Sequence, residues 1–283
     1  MKKLFGLFGL CALAWLGASA VARAADSKIV LIAGRPSHGP GEHEFNAGTK
    51  LLVKCLKEMP GIDPVLVAGG WPQDESVFQG TKSVVFFMDG GGGHPMIQGK
   101  QRMETMRRLM DQGVGLVCLH YAVEFPKGDV GDQVLDWLGG YYESQYSDNP
   151  HNKSEIVPRE GHPVTRGVKP FTLNDEWYFK IRFRPDDPRV TPLLIAKSLV
   201  GHDKKTYTDQ VVGWATERKD GGRAFGFTGA HFHKNWGDND FRKVVLNAIL
   251  WSAKLDVPSN GASSEVSEDE LAKNLDPKAK GKK

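Results

Sequence analysis

From Lys28 onward the chain alternates short continuous apolar runs with stretches whose apolar residues recur at helical spacing. Ile29-Val30-Leu31-Ile32-Ala33, closed by Gly34, predicts a strand buried on both faces. A loop rich in Gly and Pro runs from Arg35 to Gly41. Residues 45–59 then set Leu51, Leu52, Cys55 and Leu56 on one face of a helix. Further apolar runs predict strands at residues 65–68, 84–88 and 115–119, with a helix at residues 98–112. Continuous Val/Ile/Leu runs in the order β-α-β-β-α-β, without apolar–polar alternation, predict an α/β fold. Its core is a doubly wound, mostly parallel sheet covered by helices on both faces.

The second half changes character. Residues 141–184 are rich in aromatics, Pro and Asn, with few clean apolar runs, and read as an insertion of short strands within the same domain. Strands return at residues 193–196, 211–215 and 224–228, and a last amphipathic helix covers residues 241–255. After Asp256 the composition turns to Ser, Gly, Glu and Lys. This predicts a polar, disordered tail over residues 257–283, apart from a short helix at residues 267–275 where Ser267 and Glu270 fit a capping box. The expected organisation is a signal segment at residues 1–24, one α/β domain at residues 25–256, and the tail.

The signal segment accounts for most of what is unusual in the composition. The 283 residues carry a formal charge of +3. Residues 1–24 hold Lys2, Lys3 and Arg23 and no acid, so without them basic and acidic side chains balance. Lys2-Lys3, the apolar run to Val21 and Ala22-Arg23-Ala24 have the layout of a cleaved secretory signal, which predicts a periplasmic or secreted protein. A balanced charge argues against a basic nucleic-acid binder, and no later stretch is apolar for long enough to cross a bilayer. Self-association into a homo-oligomer is left open. Cys11 departs with the signal, leaving Cys55 and Cys118 either to pair or to stay as free buried thiols.

Histidine placement carries the chemistry. His38 and His43 follow the first strand, Asp89 and His94 the third, His120 closes the fourth, and His231 and His233 follow the last. The carboxyl ends of parallel strands share one edge of a sheet, so these side chains should converge on one cleft. One reading makes His38, His43 and His120 the ligands of a divalent metal, zinc first among the candidates. The other makes His120 or His231 a general acid/base, with Glu124 or Glu176 as the carboxylate partner. The plain alternatives are a solvated loop for Glu124 and a solvated turn for Asp175-Glu176. Gly91 and Gly92, within Gly90–Gly93, offer backbone N–H groups to a ligand. The chain lacks both a phosphate-loop ending and a dinucleotide fingerprint, so no nucleotide cofactor is expected. Asp89, Gly91, Gly92, His94, Tyr121, Trp177 and Tyr178 are the candidate substrate-binding residues, the aromatics suiting the C–H face of a sugar.

Several of these stretches carry a resemblance. They are residues 28–34 with Ser37-His38-Gly39, residues 84–94, residues 113–124, Gly161-His162-Pro163, Asp175-Glu176-Trp177-Tyr178, and residues 229–236. Together they resemble the ThuA-like (trehalose utilisation) family, whose fold is the flavodoxin-like fold of the class I glutamine amidotransferase superfamily. The Gly41-Glu42-His43-Glu44 variant is similar to an exported branch of environmental bacteria. The parent superfamily places a nucleophilic Cys on the turn after a central strand. Here that turn begins at His120, and Cys118 lies inside the strand, so glutamine amidotransferase chemistry is not expected, nor is a simple Ser or Cys hydrolase. His231 falls near the superfamily's catalytic His. The resemblance implies an enzyme acting on sugars or glycosides, including 3-keto forms, through proton removal beside the ketone. The rival reading is a non-catalytic carbohydrate-binding module using the same cleft.

Overall fold

The computed structural model describes residues 26–278; the signal segment read at residues 1–24 lies outside them. The first half forms β1 (Ser27–Ala33), α1 (Phe45–Lys57), β2 (Ile62–Val67), β3 (Ser83–Phe87), α2 (Lys100–Asp111), β4 (Gly115–Leu119) and α3 (Asp129–Trp137). The second forms β5 (Gly140–Tyr141), β6 (His151–Pro158), β7 (Phe171–Glu176), β8 (Arg182–Phe183), β9 (Val190–Ala196), β10 (Gln210–Glu217), β11 (Arg223–Phe227), α4 (Asn239–Ser252) and α5 (Glu268–Leu271).

Nine strands make one sheet in the order β2-β1-β3-β4-β11-β10-β9-β6-β7. The first five run parallel, and β10, β9, β6 and β7 extend the sheet antiparallel. The doubly wound, mostly parallel core expected from the apolar runs is present. Every residue of β3 and β4 is buried because helices cover both faces. Ile29, Leu31, Val117 and Leu119 face α1 and α4; Val30, Ile32, Leu116 and Cys118 face the side of α2 and α3. Pro64 is tolerated in β2 because that strand is an edge of the sheet.

Two expectations change. The stretch read as an insertion supplies β6, which pairs with β9, and β7, which pairs with β6 at the edge of the main sheet. β6 alternates buried and exposed positions, as an antiparallel strand with one solvated face does, so it shows no continuous apolar run. The residues after Asp256, expected to be disordered, are packed as far as Lys278. Val257 and Ala262 are buried, and the Ala262 N–H donates to Asn247 Oδ1 at 2.7 Å. Arg242 reaches the Ser264 carbonyl at 3.1 Å, and Lys54 the Glu265 carbonyl at 2.7 Å. These are backbone anchors, invisible to a composition-based reading. α5 does carry the capping box of Ser267 and Glu270.

Candidate metal centre

The carboxyl edge of the parallel strands gathers the polar groups. The loop after β1 brings Ser37, His38 and His43; the turn after β3 brings Asp89; the turn after β4 brings His120, Tyr121 and Glu124. The loop after β11 brings His231, and Glu176 ends β7. Close packing of the turns requires glycine at residue 90: a Cβ there would lie 2.0 Å from the Tyr121 carbonyl oxygen. His38, His43 and His120 all have positive φ, at 59°, 44° and 53°. Each such non-glycine residue costs on the order of 1–3 kcal/mol, and clustering of this strain marks a functional site.

His43, His120, Glu176 and His231 form the inner group, with one donor atom from each inside a 4.8 Å span. His43 Nε2 lies 2.9 Å from His231 Nδ1 and 3.0 Å from His120 Nε2. Glu176 Oε2 lies 3.1 Å from His231 Nδ1 and 3.4 Å from His120 Nε2. The outer nitrogens settle the tautomers. His120 Nδ1 stands 2.8 Å from the Thr228 carbonyl, which only accepts, so the neutral ring carries its proton on Nδ1 and keeps a lone pair on Nε2. His43 Nδ1 stands 3.2 Å from Asp89 Oδ1, donates to that carboxylate, and also leaves Nε2 as a lone pair. Two lone pairs therefore face each other across the inner group.

Burial, followed by the neighbouring His120, His38 and His231, holds the His43 imidazole far below its usual pKa and therefore neutral. Burial alone would raise the Glu176 carboxyl, but the His120 and His231 rings beside it hold it well below the usual carboxylate range. Asn149 Nδ2 donates to its other oxygen at 3.0 Å and orients it. His231 Nε2 is buried without a hydrogen-bond partner.

The trio expected from sequence, His38, His43 and His120, is not what converges. His38 stacks on His43 at 3.6 Å with its side chain 40% exposed, and belongs to an outer group with His43 and Asp89. His231 takes its place inside. Ser37 donates to Asp89 at 2.8 Å. Glu124 stands at the rim against Gly91, and burial followed by the charge of Glu176 pushes its carboxyl up to about 7. Tyr121 and Tyr178 line the site, Tyr121 edge-on to His43 at 5.7 Å and Tyr178 tilted on His120 at 4.7 Å.

Three expected ligand contacts fall elsewhere. Trp177 is fully buried against Phe227 and is core, not a sugar platform. His94 is fully buried, stacks on Phe125 at 4.5 Å, and accepts from the Met96 N–H at 3.1 Å; burial pushes its pKa down to about 3. The Gly91 N–H, expected to serve a ligand, donates to the Glu124 carbonyl at 2.9 Å. Cys55 and Cys118 are free and buried, and burial pushes the Cys118 thiol up, which is unsuited to nucleophilic attack.

Asp175 escaped the sequence reading, where it was only part of a turn. Fully buried, it accepts the N–H groups of Ala230 at 2.8 Å, His231 at 3.0 Å and Phe232 at 3.3 Å. It holds the loop that presents His231, and no spacing in the chain links the two.

Fold and centre together define a doubly wound α/β protein with a histidine–carboxylate cluster at the carboxyl edge of its sheet. The ThuA family profile, described as trehalose utilisation, matches residues 37–252, and the chain belongs to that family. Among solved structures it is similar to a ThuA-like protein from Bacteroides uniformis, with 18% identity and a TM-score of 0.62 over 85% of this chain and 97% of that one. A ThuA-like protein from Parabacteroides merdae is similar at 16% identity and a TM-score of 0.54, over 86% and 94% of the two chains. Both likenesses concern the fold. None of the curated proteins matches.

Proposed function

We propose that this protein is a carbohydrate-active enzyme, working outside the cytoplasm, whose centre is a divalent metal held by His43, His120, His231 and Glu176. The observation that carries the reading is the 3.0 Å approach of two imidazole nitrogens whose rings already donate from their other nitrogens. Such facing lone pairs repel unless a cation lies between them. Metal-bound histidines typically donate their second nitrogen to a carbonyl or carboxylate, as His120 does to Thr228 and His43 to Asp89. Four of the six separations, 2.9 to 3.4 Å, are near the tetrahedral edge of about 3.3 Å that bonds of ~2.0–2.1 Å give, and all six lie within 4.8 Å. Three imidazoles and one carboxylate suit zinc and also other first-row ions.

The family's carbohydrate role and the open, tyrosine-lined rim support a sugar or glycoside as substrate, with a 3-keto form the best match to the chemistry. When bound, the metal supplies a Lewis acid for a substrate oxygen. Glu124, at the rim and partly ionised near neutrality, would take the proton from carbon beside the ketone, the electron pair moving onto the ketone oxygen. Export is supported by the signal layout of residues 1–24.

The test is elemental analysis of the purified protein before and after chelation, followed by a screen of glycosides and their keto derivatives. About one metal per chain, with turnover lost on chelation and in His120→Ala, is expected. Sugar affinity with neither metal nor turnover would replace this reading with the binding-module one.

A further inference from the structure

The loop that carries His38 and His43 is folded around a cation from the far end of the chain. Lys278 directs its ammonium at the Gly39 carbonyl at 3.3 Å, the Glu42 carbonyl, and Glu44 Oε1 at 3.2 Å. Two of the ammonium's N–H groups are taken by the carbonyls, and the Glu44 carboxylate neutralises its charge. Both charged side chains are out of water, Lys278 at 4% and Glu44 at 1% exposure. Glu44 is saturated in turn: Oε1 also accepts the Gly41 N–H at 2.9 Å, and Oε2 accepts the Asp276 N–H at 2.7 Å.

From this turn the path to the centre is short. The His43 N–H donates to the His231 carbonyl and the His233 N–H to the Gly41 carbonyl, each at 2.9 Å, and Glu42 bridges Phe232. The Gly39–Glu44 turn is thus clamped between Lys278 on one side and the His231 loop on the other. Its backbone is strained at His43, and His38 just before it is strained too, so something outside the turn must hold it closed. A buried ion pair adds little net stability over a packed apolar pair, but it enforces one geometry.

We infer that Lys278 is a positioning residue for the centre: its ammonium is the template on which the Gly39–Glu44 turn closes, and it thereby sets His43 against His120 and His231. The metal reading enters only through one of the two readouts below. The segment from Val257 to Lys278 is, on this inference, a strap that completes the site.

The test uses the full chain. Lys278→Met is expected to speed amide exchange of residues 39–44 by about tenfold or more while β1, β3 and β4 keep their protection, and to weaken cobalt(II) binding, read from its visible absorption, by about tenfold. Propylammonium added to Lys278→Ala should restore both readouts towards wild type, which a merely structural role would not allow. If Lys278→Met fails to fold, Glu44→Gln/Lys278→Met removes both charges, keeps one carbonyl acceptor for the two backbone N–H groups of Gly41 and Asp276, and carries the same readouts. Unchanged exchange over residues 39–44, or acceleration spread evenly through the sheet, overturns the inference. If cobalt binds not even the wild-type chain while the loop still responds to Lys278, the metal reading falls and the positioning role stands.

Discussion

His43 Nε2 and His120 Nε2 stand 3.0 Å apart, and two neutral rings that donate from Nδ1 have no proton left to place between them. A divalent ion relieves this contact, and its removal restores it. Chelation is therefore expected to lower thermal stability. An ion present at 100 times its dissociation constant adds about 2.7 kcal/mol, which for a domain of this size corresponds to roughly 5–10 °C in Tm. Scanning calorimetry with and without EDTA checks this; an unchanged Tm would count against a bound ion.

Glu124 predicts a pH dependence in two opposed directions. Its carboxyl is pushed up to about 7 from an ordinary 4.5, first by burial and then by Glu176. As a base it works when ionised, so kcat/KM should rise through about pH 7 and lose that limb in Glu124→Gln. The stability it contributes is complete below the unfolded value and is lost as pH rises through about 7. Glu124→Gln should therefore be more stable than wild type at pH 8 by about 1–3 kcal/mol, measured by urea unfolding at pH 5 and 8.

Asp175 tests the support behind His231. Asp175→Ala leaves three N–H donors, two of them buried, without their acceptor and is expected to cost about 3 kcal/mol, with a matching loss of metal affinity. Asp175→Asn, which keeps one carbonyl acceptor, should cost roughly half as much. Denaturant titration separates the two; equal stability in all three proteins would show that the loop is held by other contacts.

Cys118 should be catalytically silent. Cys118→Ala is expected to lower stability by about 1–2 kcal/mol through lost packing while leaving turnover intact, and iodoacetamide should not label the native chain. Rapid labelling with loss of activity would revive a thiol mechanism.

The sequence disclosed the parallel half of the fold because strands such as β3 and β4 are buried on both faces and read as unbroken apolar runs. It hid β6 and β7, whose solvated face interleaves Asn152, Lys153 and Glu155 with the buried Ser154 and Ile156. The same logic separates the parts of the site. That His43 and His120 face one cleft follows from their strand ends. That His231, not His38, completes the inner group depends on a loop held by Asp175 and on a backbone hydrogen bond between residues 43 and 231. The strap after Asp256 was missed for a related reason: it is tied down by carbonyls and one buried ammonium, and composition does not register either.

The sequence distances inside the centre have a consequence for assembly. His43 is 77 residues from His120 and 188 from His231. A zinc finger or an H-x-x-x-H helix offers an unfolded chain neighbouring ligands with which to trap an ion; here the ligands meet only when the sheet is complete. A metal held by this set therefore has only the weak purchase of scattered histidines on the denatured ensemble, and most of its affinity is expressed as preference for the finished fold. Loading becomes a checkpoint: a chain that has captured its ion has, by that fact, finished folding.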